Sequence, residues 1–201
     1  MTWVLLAASY LLGATPTSYL TGRLLRGIDL RQHGSGNLGA TNAFRVLGWK
    51  GAVPALVFDI FKGWAPVALF PMWDGSPHAQ WALAYGAAAI VGHVYSVYVG
   101  FRGGKGVATS TGVLLALVPW GVLAGAVVWG AVVFATRIVS IASILAALVV
   151  PIAVYLTRGV DTVFWLTVGV AAFVVFAHRS NIGRLLRGEE HRFGRDREEA
   201  L

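Results

Sequence analysis

The chain has 201 residues, of which 57% are hydrophobic and 12% charged, with a formal net charge of +7. Soluble domains carry about 25% charged residues, so with a mean hydropathy of +0.69 the composition excludes an ordinary soluble domain. There is no cysteine, which excludes disulfides and thiolate metal sites and leaves the redox compartment undetermined.

Residues 3–20 form the first apolar run. No Lys or Arg precedes it, whereas Arg23 and Arg26 follow it, the reverse of a cleaved signal peptide. The expectation is a retained first span with its N-terminus outside, kinked at Pro16. A polar glycine-rich stretch at 33–45 precedes the second span at 51–71. Asp74 and His78 lie in a short turn, the third span is 79–99, and 101–106 is a basic glycine loop. Residues 107–135 are too many for one ~30 Å crossing at ~1.5 Å per residue and too few for two full ones. A single crossing would put Arg137 and the arginine-rich tail outside, whereas a short hairpin of two helices returns both to the cytoplasm, as basic loops prefer. Residues 138–156 then go out and 162–177 come back.

The sequence therefore predicts an all-α polytopic membrane protein with about seven transmembrane helices, two of them short. Its N-terminus is outside, its C-terminus is cytoplasmic, and residues 1–201 form a single integral-membrane domain. On this map Arg23, Arg26, Arg31, Arg45, Lys50, Arg102, Lys105 and Arg137 are cytoplasmic. The positive charge is explained by orientation and anionic partners, so no nucleic acid is expected.

Three polar motifs fall on the cytoplasmic side. In the first, Gly34, Gly36 and Gly39 let successive N–H groups converge on an anion. Residues 40–45 read as the first turns of a helix, whose N-terminus adds donors, and Thr41 and Arg45 share a face. The second runs Arg102-Gly103-Gly104-Lys105-Gly106-Val107-Ala108-Thr109. It is not a P-loop: Val99 stands where the first glycine should, and Gly106 follows the lysine in place of Ser or Thr. It still offers glycine N–H groups, one ammonium and a helix start, although a tight turn with a snorkelling lysine fits equally well. In the third, His178, Asn181 and Arg184 share a helix face; the plain alternative is a polar helix end with stop-transfer arginines. Asp59 and Lys62, three apart inside the second span, are expected to pair and face protein. His93 reads as a buried hydrogen-bonding residue, and Ser140 or Ser143 can donate to an anion or pack a helix. The scattered histidines argue against a metal, and no Gly-x-Ser-x-Gly elbow exists. His191 and Asp196 have an acyltransferase-like His-x4-Asp spacing, set aside because the charged tail has no apolar surroundings.

Gly-Ser-Gly-Asn-x-Gly-Ala-Thr-Asn-x-x-Arg at 34–45, Gly-Gly-Lys-Gly-Val-Ala-Thr at 103–109 and His-Arg-x-Asn-Ile-x-Arg-Leu-Leu-x-Gly-Glu at 178–189 together resemble the bacterial, membrane-embedded, acyl-phosphate-dependent glycerol-3-phosphate acyltransferase family. Asp59-x-x-Lys62-Gly63 looks like that family's second-helix signature. Arg102, where a lysine is common, and Ser96, where a proline is common, depart from the pattern. The resemblance implies transfer of an acyl chain from acyl phosphate to the 1-hydroxyl of sn-glycerol 3-phosphate, giving lysophosphatidic acid and phosphate. It implies no cofactor, a multi-pass protein of the bacterial inner membrane, and a site facing the cytoplasm. The expected partners are the two substrates and membrane lipids, and a monomer suffices.

On this reading Ser35, Thr41, Gly103, Gly104, Ser143 and Asn181 hold the acyl-phosphate phosphoryl group. Arg45, Lys105, His178 and Asn37 handle glycerol 3-phosphate and the developing charge. Gly34, Gly36, Asn42, Thr109 and Arg184 complete the phosphate-binding set, and Asp59 and Lys62 support it from behind. Either His178 is the base or a substrate phosphate oxygen takes the proton, with the second route preferred. A transporter of phosphorylated metabolites is the rival, but no inverted repeat is visible and the motifs lie on one side rather than at the midplane. A structural assembly protein would not need two anion loops.

Overall fold

A computed structural model describes residues 1–75 and 79–193; His78 and Asp196 lie outside them. Among the described residues there is no β-strand. The chain divides into two compact units, Met1–Leu117 and Val118–Leu201. The first contains α1 (Thr2–Ala14), α2 (Thr17–Arg26), α3 (Ala40–Leu47), α4 (Trp49–Asp74), α5 (Ala79–Val94) and α6 (Val107–Leu117). The second contains α7 (Pro119–Thr136), α8 (Val139–Arg158), α9 (Thr162–Ala177) and α10 (Arg179–Leu186). Helices α4, α7 and α8 are long and apolar enough to cross a membrane, as is the stretch Gln80–Val99. Helices α9 and α10 qualify as a pair bent by 54°, and α1 and α6 are shorter apolar helices.

Three boundaries differ from the sequence expectation. The run 3–20 is not one kinked span: it breaks at Thr15 and Pro16 into α1 and α2. Proline lacks an N–H and pushes the preceding residue out of helical geometry. The Thr15 carbonyl accepts instead from Lys62 Nζ at 2.7 Å. The run 79–99 is helical only to Val94, followed by a 3₁₀ turn at Val97–Val99. There Ser96 Oγ donates to the Ala14 carbonyl at 2.5 Å, tying the end of α5 to the end of α1. The run 107–135 splits, but not into two short helices. Val118 separates an 11-residue α6 from an 18-residue α7 that starts at Pro119, a first helical position that proline favours. The short apolar helices are therefore α1 and α6.

Close helix packing dominates the first unit. A β-carbon on Gly63 of α4 would run into the Thr109 carbonyl of α6, and one on Gly112 of α6 into the Ile60 carbonyl of α4. Small residues let backbones approach this way where water supplies no driving force. A plug of Leu30, Leu38, Ala43, Leu47, Ala52 and Val99 lies under the glycine-rich stretch and fixes it to α3 and α4. In the second unit Gly121 and Gly125 of α7 lie against Val150 of α8. Asp161 caps α9 by accepting from the Phe164 N–H at 2.7 Å.

Candidate active site

The first loop is built around Asn42, which is buried in the first turn of α3. Its Oδ1 accepts from the Ser35 N–H at 2.8 Å, and its Nδ2 donates to the carbonyls of His33 at 3.1 Å and Leu30 at 3.3 Å. Gly34 has φ +59°, and a β-carbon there would collide with Asn42 Oδ1, so only glycine fits. The Gly36 N–H donates to the His33 carbonyl. Two N–H groups expected to face an anion, those of Ser35 and Gly36, are thus committed inside the loop. Asn42 and Gly34 shape it. The Ser35 and Thr41 side chains are exposed, and Asn37 and Arg45 are half-buried.

Upstream, Asp29 accepts from the Arg31 N–H and from the Arg31 guanidinium, with Nε–Oδ1 at 3.0 Å and Nη2–Oδ2 at 2.7 Å. Arg31 Nη1 also reaches the Val99 carbonyl at 3.2 Å. The Arg31 hydrogen bonds hold the Asp29 carboxyl well below its usual range, at about 2.

In the second loop the Gly103 and Gly104 N–H groups donate to the carbonyls of Val94 and His93. They satisfy the C-terminus of α5, so their amides are not the anion donors the sequence suggested. Lys105 is half-buried, while Thr109 is fully buried and its Oγ1 has no hydrogen-bond partner among the described residues. Both loops reach one cavity of about 490 Å³, lined by Asp29, Arg31, Gln32, Gly36, Arg102 and Gly103. Of the predicted site residues, this wall includes Gly36 and Gly103. Sequence reasoning missed Asp29, Arg31 and Gln32 as wall residues, and placed Arg102 in the second motif and on the cytoplasmic side without giving it a role. The signal was Asp29-Leu30-Arg31 just before the glycines, a carboxylate able to fold a turn onto a nearby guanidinium.

Behind the loops, Asp59 and Lys62 are both 1% exposed and pair at 2.6 Å. Asp59 Oδ1 also accepts from Thr17 Oγ1 at 3.1 Å and lies 3.7 Å from His93 Nδ1.

In the second unit, His178 is the bend between α9 and α10 rather than part of a single helical face with Asn181 and Arg184. It is buried, with Nδ1 2.8 Å from the Val174 carbonyl. A carbonyl only accepts, so Nδ1 carries a proton and the neutral ring's lone pair sits at Nε2. Asn181 and Arg184 meet on Glu190: Nδ2–Oε1 at 2.5 Å and Nε–Oε2 at 2.8 Å, with Ser140 Oγ donating to Oε1 at 2.8 Å. Burial opposes the charge on Glu190, but donors from Asn181, Ser140 and Arg184 outweigh it and lower its pKa. Glu190 was missed. The motif as read ends at Glu189, which is exposed and pairs with Arg187 at 2.7 Å. Two adjacent glutamates leave the register open, and burial picks the second. Ser143 Oγ accepts from Trp129 Nε1 at 3.3 Å.

The family model for glycerol-3-phosphate acyltransferase matches residues 3–188. Among similar proteins, the glycerol-3-phosphate acyltransferase of Anaeromyxobacter sp. (strain Fw109-5) is 45% identical over 193 residues, covering 94% of this chain and 95% of the relative. That of Gloeobacter violaceus is 47% identical over 198 residues, covering 94% and 93%. The crystal structure of PlsY (YgiH), an integral membrane glycerol 3-phosphate acyltransferase, in its glycerol 3-phosphate form superposes with a TM-score of 0.89 at 37% identity, covering 96% of both chains. Its lysophosphatidic acid form gives 0.86 at 36% identity, covering 100% of this chain and 98% of that one.

Proposed function

Since the chain belongs to the glycerol-3-phosphate acyltransferase family, we propose that it transfers an acyl group from acyl phosphate to the 1-hydroxyl of sn-glycerol 3-phosphate, the first committed step of phospholipid synthesis. The observation that carries this reading is the cavity where the two glycine loops meet, with Arg102 on its wall beside Arg31, whose guanidinium is held by Asp29. Both substrates are phosphate monoanions or dianions, and guanidinium groups suit them.

In the reaction the acceptor hydroxyl oxygen attacks the acyl carbonyl carbon. The bond from that carbon to the bridging phosphate oxygen then breaks, and inorganic phosphate leaves with the electron pair. Acyl phosphate is already activated, so no covalent enzyme intermediate is required, and positioning and charge stabilisation lower the barrier. Lys105 and Arg45 neutralise charge on the phosphates, and Ser35, Thr41 and Asn37 donate or accept from loop positions. Gly103 and Gly104 contribute close backbone approach rather than their N–H groups. Asn42, Gly34 and Thr109 serve by shaping loop and helix. Motif order within the family assigns His178, Asn181 and Arg184 to the same reaction, and Ser143 is added to them for its hydroxyl, which can donate to an anion. The hydroxyl proton passes to a substrate phosphate oxygen, and His178 orients the acceptor; its Nε2 lone pair is the alternative base.

Among the described residues four apolar segments are long enough to cross and the bent pair α9–α10 is a fifth; counting the shorter apolar α1 and α6 brings the number to seven crossings, and the positive-inside tendency puts the N-terminus outside. One domain over 1–201, a monomer, and a cytoplasm-facing site in the bacterial inner membrane complete the reading.

The test is purified protein with labelled glycerol 3-phosphate and either acyl phosphate or acyl-CoA. Phosphate release from acyl phosphate only when glycerol 3-phosphate is present is the expected result. Exclusive use of acyl-CoA would overturn the donor assignment.

A further inference from the structure

The geometry points to His93 as a positioning residue: its ring is a wedge between the buried Asp59–Lys62 pair and Gly104, and so sets where Lys105 stands. This rests on the reading above that the Lys105 loop serves the reaction. His93 lies in the last turn of α5 and is 6% exposed. One edge of the ring faces the pair, with Nδ1 3.7 Å from Asp59 Oδ1. The other edge fills the space beside Gly104, where a β-carbon would run into Nε2. That β-carbon would also lie 3.2 Å from the Leu38 carbonyl of the first loop. Gly104 is therefore clamped between the ring and the first loop, while its N–H donates to the His93 carbonyl at 3.2 Å.

The ring itself is backed by charges that resist displacement. Asp59 is bonded to Lys62 and to Thr17 at the start of α2, and Lys62 is bonded to the Thr15 carbonyl at the helix break. Moving Asp59 away would leave a buried ammonium uncompensated. The neighbour of Gly104 is Lys105, so a shift of the ring is passed through the backbone to the residue that carries the ammonium. A misplacement near 1 Å is typically worth about 10²-fold in rate.

Because the ring and a methyl on residue 104 compete for one space, the test is a rescue. Acyl transfer to labelled glycerol 3-phosphate is measured for the full chain in liposomes, with thermal melts to confirm folding. Gly104→Ala is expected to lower kcat about 100-fold and His93→Ala about tenfold, whereas the double variant recovers about tenfold or more over Gly104→Ala alone. A loss of packing in general would add the two defects, not reverse one. A double variant no better than Gly104→Ala, or a Gly104→Ala enzyme with wild-type kinetics, overturns the wedge. If His93→Ala lowers the melting point enough to unfold the protein, His93→Ser, which keeps a polar group beside Asp59, takes its place in the same comparison. Lys105→Ala is measured alongside. Wild-type kinetics there would remove the assignment of Lys105 and overturn its positioning by the ring, whereas a severe loss there together with no rescue by the double variant overturns the wedge alone.

Discussion

Replacing Asn42 tests whether this residue builds the first loop. Its side chain makes three hydrogen bonds and is 2% exposed. At a net ~1 kcal/mol each, Asn42→Ala removes up to about 3 kcal/mol of loop order, and water reaching the exposed loop reduces this to roughly 1.5–3 kcal/mol. At about 1.4 kcal/mol per factor of ten, the equilibrium constant for ordering the loop falls roughly 10- to 100-fold, which is the largest factor by which kcat/KM falls through loop disorder. Asn42→Asp is at least as harmful. A carboxylate can still accept from the Ser35 N–H, but it faces the Leu30 and His33 carbonyls with no donor. Two assays check this: kcat/KM for glycerol 3-phosphate, and amide hydrogen exchange of the segment 33–39 in the substrate-free enzyme. The segment should exchange faster in both variants. Unchanged exchange together with wild-type kcat/KM in Asn42→Asp would refute the reasoning.

Glu190→Ala removes the acceptor of Ser140, Asn181 and Arg184 together. Arg184 is 28% exposed, so its share is screened; the two remaining bonds to a charged group are worth about 3 kcal/mol or more together, a drop of roughly 5–10 °C in melting temperature. An unchanged melting curve would show that the network carries no stability. Asp29 titrates at about 2 in the fold against the usual 3.8, so its ion form is the stabilised one. Its contribution is complete above pH ~4 and is lost as the pH falls from there through about 2. Asp29→Asn should therefore flatten the acid limb of stability in that window, and identical acid limbs for the two proteins would count against the Asp29–Arg31 clamp.

The two glycine loops and the buried ion pair were legible because their signals are local. Glycines, a lysine and a helix start within a few residues mark a tight basic loop whatever surrounds them, and Asp59 and Lys62 announce their pairing by a three-residue spacing inside an apolar run. The use of each N–H was not legible. The amides of Gly103 and Gly104 serve the end of α5 because the chain turns back onto its own helix. The amide of Ser35 serves Asn42 because α3 folds under the loop. Glu190 and Glu189 are chemically identical in the sequence, and only the fold buries one of them against Asn181 and Arg184.

By itself the sequence determined the class of molecule and the family. Composition reports the solvent a chain must live in, and ordered short motifs report the chemistry it must hold. Tertiary structure decided where the helices break. Pro16 has no N–H for the Leu12 carbonyl, and the break is clean because other groups take up the carbonyls there, the Thr15 N–H at Leu12 and Lys62 Nζ at Thr15. It also decided which polar groups are spent on the fold and which are left to meet a substrate. Hydrogen bonds are satisfied by whatever comes within 3 Å or so, and that proximity is a property of packing rather than of spacing along the chain.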